Sequence, residues 1–117
     1  MFSSRKWKFR VRHILEAISG AQNYVEGMSL NDFRGDSKTV DAVLTKFIVI
    51  GEAAALVPVE VQERHAEVPW RKLKGLRNVI VHQYDRVDVV IVWNALRGDL
   101  PPLVPLLERV LLEEQEE

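Results

Sequence analysis

The 117-residue sequence contains no cysteine, which excludes disulfide bonds, thiolate metal sites and cysteine nucleophiles. Long hydrophobic runs are also absent: the apolar stretch at residues 53–59 is far too short to cross a bilayer. The amino terminus lacks the apolar segment of a signal peptide. The sequence therefore predicts a soluble protein of the cytoplasm with no membrane contact.

Acidic residues are missing from the first thirteen positions, whereas the last five residues are Glu-Glu-Gln-Glu-Glu. The net charge is only −1, so the asymmetry lies in the distribution of charge and not in its sum. A basic opening can contact phosphates, but one-sided charge is also typical of an ordinary solvated helix face. The basic stretch indicates a function only if it lies beside a functional site. The basic residues are Arg5, Lys6, Lys8, Arg10 and Arg12.

Hydrophobic residues make up 47% of the chain and recur at steps of three and four, the spacing of amphipathic helices. No segment alternates with the period of two that is typical of strands. The length suits one domain, residues 1–117, with a single core. We therefore predict an all-α fold, an up-and-down bundle of four main helices plus short ones. The main apolar stripes are Trp7, Val11, Ile14, Ile18, Ala21 and Val25; Val40, Val43, Phe47, Ile50, Ala54 and Val57; Val89, Val92, Trp93 and Leu96; and Leu103, Leu106, Leu107, Val110 and Leu111.

Start and stop signals divide these stripes into elements. Ser29 is a candidate N-cap for a short turn with Phe33 pointing inward, and Asp88 is a candidate N-cap for residues 89–96. Residues 35–37 open the second long helix, and a fresh helix is expected to begin at Trp70 after Pro69. The first long helix is predicted over residues 5–26, and the proline pair at 101–102 interrupts the chain before the last helix.

The segment at residues 77–84, Arg-Asn-Val-Ile-Val-His-Gln-Tyr, is the strongest functional signal. Its three consecutive β-branched residues predict burial, and burial makes an arginine and a histidine at its ends costly unless they pair, reach solvent or do chemistry. On a regular helix Asn78 and His82 share one side, whereas Arg77 lies about 140° from His82. Either the start of the motif is then not a regular helix, or the partner groups of a shared site come from a second protomer. Nearby Glu52 is expected to be an exposed acid, the alternative being a buried partner of Arg77 or His82.

Arginine and histidine together suit the cleavage of a phosphodiester. Histidine moves protons near neutral pH, and the fork-shaped guanidinium holds phosphate and stabilises growing charge. RNA supplies its own nucleophile, the 2′-hydroxyl, so no metal or cofactor is required. By spacing alone, the same residues also fit a structural salt bridge and a histidine satisfied in the core. The three histidines, at 13, 65 and 82, do not have zinc-type spacing.

An ordered set of short segments resembles the HepT-like family of the HEPN superfamily of helical ribonucleases. The resemblance covers about residues 10–111, and its specificity comes from the order of the set. The segments are Ile-Leu-Glu-Ala-Ile at 14–18, Asp-Ala-Val at 41–43, Ile-Gly-Glu-Ala-Ala at 50–54, Val-Pro-Trp-Arg at 68–71, the Arg-x4-His-x-Tyr stretch at 75–84 and Asp-Leu-Pro at 99–101.

The resemblance implies a homodimer that cuts RNA at a cleft where the Arg-x4-His motifs meet, as the toxin of a toxin–antitoxin pair. It implies Arg77 and His82 as catalytic residues, Asn78 as a supporting polar group and Tyr84 as the site where an MntA-type minimal nucleotidyltransferase antitoxin attaches AMP. Transfer RNA and messenger RNA are candidate substrates. Tyr84 also fits a simpler role, packing with its hydroxyl at the rim of the protein.

Two departures from the family pattern affect the chemistry of the site. Arg12-His13 stands where many relatives have an acidic pair, and Gln83 stands where relatives often have aspartate beside the histidine. Two other functions stay open. One is a non-catalytic helical dimer that binds a nucleotidyltransferase and a nucleotide or RNA, and the other is an accessory subunit that binds a small molecule for such an enzyme.

Overall fold

The computed structural model describes residues 6–82 and 84–113, excluding the side chain of Tyr84, and all regular elements in these ranges are helices. This confirms the predicted all-α class. The elements are α1 (Lys8–Tyr24), α2 (Leu30–Arg34), α3 (Ser37–Ala55), α4 (Val59–Arg64), α5 (Trp70–His82), a 3₁₀ turn (Tyr84–Arg86), α6 (Val89–Asn94) with a π-helical turn (Ala95–Asp99), and α7 (Leu103–Val110).

Helix α3 lies between α1 and α5 and supplies the centre of the bundle. Gly20 of α1 lies against Lys46 of α3, and Gly51 of α3 lies against Arg77 of α5. The buried side chains form one apolar cluster, and fully burying a large aliphatic or aromatic side chain stabilises the fold by about 1.5–3 kcal/mol. The largest fully buried side chains include Ile14, Ile18, Phe33, Phe47, Ile50, Leu73, Leu96 and Leu107.

The predicted helix starts are confirmed by hydrogen bonds. The Ser29 hydroxyl accepts from the Asp32 backbone N–H at 3.1 Å, and the Asp32 carboxylate accepts from the Ser29 N–H at 3.0 Å, a capping box. Asp88 Oδ1 accepts from the Val90 N–H at 2.9 Å. These side chains satisfy backbone donors that a helix start leaves without partners.

Two predicted boundaries are wrong. Helix α1 begins at Lys8, and the described residues 6 and 7 before it are not helical; residue 5, where the helix was predicted to begin, lies outside the described residues. The helix that opens after Asp88 changes at Ala95 into a π-helical turn, in which the Leu100 N–H donates to the Ala95 carbonyl at 2.9 Å. A single π-helical turn differs from an α-helical turn in its backbone hydrogen bonds and not in its residue types. The spacing of apolar residues alone therefore does not reveal it.

Glu113, in the segment after α7, contacts the end of α4. Its carboxylate accepts two hydrogen bonds from Arg64, from Nε at 3.0 Å and Nη2 at 2.7 Å, and it contacts His65 Nε2 at 2.7 Å. Lys8 Nζ donates to the Glu113 carbonyl oxygen. The Arg64 guanidinium, with a smaller contribution from His65, lowers the pKa of Glu113 below its ordinary value of 4.5. The contacts join α1, α4 and the segment after α7.

We expect this contact to make stability depend on pH. Because the folded pKa of Glu113 is depressed, its contribution is complete above pH 4.5 and is lost as the pH falls through the lower folded value. Denaturant unfolding measured across this acidic range should show a smaller loss of stability for Glu113→Gln than for wild type. Glu108→Gln, which changes an exposed acid on α7, is the matched control and should keep the wild-type dependence. Identical profiles for wild type and Glu113→Gln would contradict the assignment.

Candidate functional site

The predicted motif lies on α5, a helix of 13 residues whose sequence contains four lysines and arginines and no acid. Its buried side chains are Trp70, Leu73 and Ile80, which face the core. Trp70 is fixed further by its indole N–H, which donates to the His65 carbonyl at 3.0 Å. The four cations of α5 therefore all lie outside its buried face.

Only the middle one of the three β-branched residues in the motif is buried. Ile80 is 2% exposed, whereas Val79 is 56% and Val81 is 45% exposed. The prediction that all three are buried is wrong for Val79 and Val81, because successive helical residues turn by about 100° and only one of three can face the core. Two large apolar side chains therefore lie on the surface beside the motif.

Gly51 fixes the distance between α3 and α5 at Arg77. A Cβ added at Gly51 would lie 2.6 Å from the Arg77 Cβ and 2.8 Å from the Arg77 backbone nitrogen. Both distances are well below van der Waals contact, so a larger residue would have to push the α5 backbone away. Gly51 and the alanines at 53–55 give this part of α3 small side chains, which is what allows so close an approach of α5.

The Arg77 side chain is held by the residue after Gly51. Its Nε donates to Glu52 Oε1 at 2.9 Å, and its Nη1 donates to Asn78 Oδ1 at 3.3 Å. The side chains of Glu52 and Arg77 are 54% and 38% exposed, so the pair lies at the surface. The predicted exposure of Glu52 is confirmed. A pair this exposed stabilises the fold by at most about 1 kcal/mol, so its larger effect is to fix the guanidinium direction.

His82 is the last residue of α5 and is exposed, so the alternative of a histidine satisfied in the core is wrong. It follows Arg77 by five helical residues, which turns the two side chains about 140° apart around the axis. Arg77 is directed towards Glu52 of α3. One chain therefore does not bring the guanidinium and the imidazole together on one face.

Asn78 contacts Arg77 and lies on the helix face of His82. It accepts the hydrogen bond from Arg77 and is itself exposed. Because it precedes His82 by four residues, it also shares the helix face of the histidine. The backbone of Tyr84 opens the 3₁₀ turn directly after α5, but its side chain and the whole of Gln83 lie outside the described residues.

A groove of about 670 Å³ runs beside the motif between α5, the π-helical turn and the start of α7. It was not predicted from the sequence. No sequence signal indicated it, because the sequence predicted Val79 to be buried; in the structure Val79 and Ile91, the latter 66% exposed, border the groove. Its apolar lining residues include Phe47, Leu73, Leu76, Val79, Ile80, Val87, Ile91, Val92, Leu100 and Leu103.

Lys8, in the basic opening of the chain, is connected to the other end of α5 from His82. Lys8 contacts Glu113, Glu113 contacts His65, and His65 accepts the indole hydrogen bond of Trp70, the first residue of α5. The twelve helical steps from Trp70 to His82 span about 18 Å. Within one chain, Lys8 of the basic stretch therefore does not lie beside His82.

Among residues 6–82 and 84–113 there is no group of three or more histidine, aspartate or glutamate side chains arranged to hold a metal ion. Within the same ranges no helix is long and apolar enough to span a membrane. Trp7 is buried, as its place in the first apolar stripe predicts, and Trp70 is buried as well.

Comparison with known proteins gives consistent matches over nearly the whole chain. The probable ribonuclease HepT of Thermococcus cleftensis is 32% identical over 106 residues, which covers 91% of this chain and 96% of that protein. A candidate RNase of Caldanaerobacter subterraneus subsp. tengcongensis is 30% identical over 105 residues, or 90% of this chain and 94% of that protein. A candidate RNase of Methanocaldococcus jannaschii is 28% identical and is covered over 99% of its length. Among solved structures, none matches this chain at a significant level.

The profile of the family described as ribonuclease HepT-like matches residues 14–110, a range that contains α3, α5 and the whole of the motif. The match extends over most of the chain, and a relative of 30% identity or more covers it almost from end to end. The resemblance seen in the sequence is confirmed: the chain belongs to the ribonuclease HepT-like family.

Proposed function

We propose that this protein is a metal-independent endoribonuclease and the toxin of a toxin–antitoxin pair. The observation that supports this most directly is the exposed Arg77–Asn78–His82 arrangement on α5, inside the range that matches a ribonuclease family. An exposed guanidinium and an exposed imidazole are the groups needed to hold a phosphate and to move protons beside it. The proposed activity lies in the cytoplasm, where RNA is found.

The proposed reaction uses the substrate's own nucleophile. The 2′-oxygen attacks the adjacent phosphorus, an O2′–P bond forms, and the P–O5′ bond breaks. One imidazole accepts the proton of the 2′-hydroxyl, and a protonated imidazole donates a proton to the leaving 5′-oxygen. Arg77 stabilises the negative charge that grows on the other phosphate oxygens. The products are a 2′,3′-cyclic phosphate and a 5′-hydroxyl.

This chemistry needs a homodimer, for two reasons. One His82 per chain supplies either the base or the acid, and a second chain supplies the other. Arg77 and His82 also lie about 140° apart on one helix, so a twofold axis beside α5 is the simplest way to bring both types of group into one cleft. The exposed Val79 and Val81 and the apolar groove give such a contact apolar surface to bury. Light scattering should give twice the mass of one chain, and a monomer that cuts RNA would contradict this part.

Tyr84 is the proposed site of control by an MntA-type minimal nucleotidyltransferase. Its hydroxyl oxygen would attack the α-phosphorus of ATP, pyrophosphate would leave, and the phenolic proton would pass to solvent. An adenylyl group two residues after His82 adds a negative charge and bulk beside the phosphate site, which opposes RNA binding. Tyr84→Phe should stay active in the presence of the partner and ATP. Neutralisation of Tyr84→Phe as complete as that of wild type would contradict the assignment.

The test of the activity itself is incubation of the purified protein with total RNA and with tRNA in excess EDTA. Cleavage that leaves 2′,3′-cyclic phosphate ends is the expected result. Failure of a folded, dimeric and unmodified protein to cut any RNA would reject the ribonuclease. Retained binding of the nucleotidyltransferase would then favour the non-catalytic module.

A further inference from the structure

One exposed row of α5 extends from the proposed reaction centre to the other end of the helix. Residues 71, 75, 78 and 82 are spaced by four, three and four, so at about 100° per residue they fall within a band of about 60°. They are Arg71, Gly75, Asn78 and His82. Arg71, Asn78 and His82 are exposed. This row therefore presents a cation, a polar amide and the motif histidine to the same side of the molecule.

The row is open between its two ends. A Cβ built at Gly75 meets no atom within 4 Å, so the surface between Arg71 and Asn78 is unobstructed. The helix also contains no acidic residue from Trp70 to His82, so no carboxylate of α5 repels a phosphate along it. The row is thus accessible and electrostatically favourable to a polyanion.

Arg71 differs from two other cations of α5. Arg77 is paired with Glu52 at 2.9 Å, and Lys74 donates to Gln62 at 3.3 Å. Across residues 6–82 and 84–113, by contrast, no ion pair or hydrogen bond involves the Arg71 side chain. A guanidinium without an intramolecular partner keeps all five donors for an external acceptor.

We propose that this row is the binding track for the RNA backbone and that Arg71 holds a phosphate several nucleotides from the bond that is cut. The proposal rests on the ribonuclease activity proposed above and specifies how its substrate lies. His82 follows Arg71 by eleven helical steps, about 16 Å along the helix axis, a distance that only a strand of several nucleotides can span. Arg71 is a positioning residue in this arrangement, because it contacts the substrate away from the reacting atoms.

The test uses RNA with 2′-O-methyl groups, which lacks the nucleophile and stays intact. Binding of a dinucleotide and of a longer single strand is measured over a range of salt concentrations, for wild type and Arg71→Ala. On the longer strand, Arg71→Ala should bind about tenfold more weakly, as expected for one lost charge-assisted contact. The slope of log affinity against log salt should become shallower by about 0.7, the value for one phosphate contact on a single strand. The dinucleotide is too short to reach Arg71 and should show no such change.

Lys38→Ala is the charge-matched control. Lys38 is exposed in the first turn of α3, thirteen residues before the Gly51 contact with α5, and should leave both the affinity and the salt slope unchanged. An unchanged slope for Arg71→Ala, or an equal loss on the dinucleotide, would overturn the track. If wild type binds the longer strand with the predicted Arg71 dependence but cuts no RNA, the ribonuclease proposal fails and the track stands.

Discussion

Replacing His82 with alanine is expected to lower the rate of RNA cleavage by about 10²–10⁴-fold, the usual contribution of a general acid or base. In the proposed homodimer the change removes both imidazoles from the cleft, so the upper part of this range is expected. His82 is exposed at the end of α5, so its removal leaves the apolar core and the helix caps unchanged. The cleavage rate of uniformly labelled RNA in EDTA, measured with the unfolding midpoint, separates loss of chemistry from loss of folding.

His13→Ala is the matched control for this experiment. His13 is also exposed on a helix, but it lies on α1 against the edge of Phe9, with ring centroids 5.7 Å apart, and not on α5. Its removal should keep the wild-type cleavage rate. Cleavage by His82→Ala at the wild-type rate would exclude the proposed role of the histidine, whatever the behaviour of the control.

Gly51→Ala is expected to destabilise the fold, although alanine is the better helix former. Overpacking of a well-packed contact costs about 1–3 kcal/mol and sometimes more. Here the added Cβ would lie 2.6 Å from the Arg77 Cβ and 2.8 Å from the Arg77 nitrogen. Backbone cannot rotate away as a flexible side chain can, so α3 and α5 must separate. The same shift moves Arg77 relative to Glu52, and cleavage should fall as well.

Gly75→Ala provides the control for helix propensity. It makes the same chemical change in the interior of a helix, but its Cβ meets nothing within 4 Å. It should stabilise the protein by up to about 1 kcal/mol, the difference in propensity between alanine and glycine. Each substitution changes the free energy of unfolding, measured at the same protein concentration. The difference between the two changes cancels the helix propensity of alanine and leaves the cost of the contact at Gly51. Equal effects of the two substitutions would show that the α3–α5 approach is not tight.

Most of the helical architecture could be predicted from the sequence. Helix periodicity and capping chemistry are local properties: the spacing of Ile14, Ile18 and Ala21 indicates one buried face, and Ser29 and Asp88 satisfy backbone donors within three residues of themselves. Local rules do not distinguish α from π hydrogen bonding, which is why the turn at Ala95 was missed. The ordered motifs also identified the family, because they specify residue types and spacings without reference to coordinates.

The candidate site was only partly predictable. The types and spacing of Arg77 and His82 identified a motif. Helix geometry predicted that the two side chains of one chain lie on different faces of the helix. The sequence named Glu52 as a partner of Arg77 only as an alternative and did not decide the pairing, since residues 25 positions apart meet only when α3 and α5 pack. It also gave the wrong burial for Val79 and Val81, because exposure depends on which face of α5 the neighbouring helices cover.

The sequence by itself thus determined the all-α class, most helix starts and the family, and it named the candidate residues for phosphodiester cleavage. Only the tertiary structure decided how closely Gly51 brings α5 to α3, which direction the Arg77 guanidinium takes, and which apolar residues border the groove of about 670 Å³. The physical reason is the range of the interactions. Backbone hydrogen bonds and helical spacing act within a few residues, whereas side-chain packing joins segments that are distant in the chain.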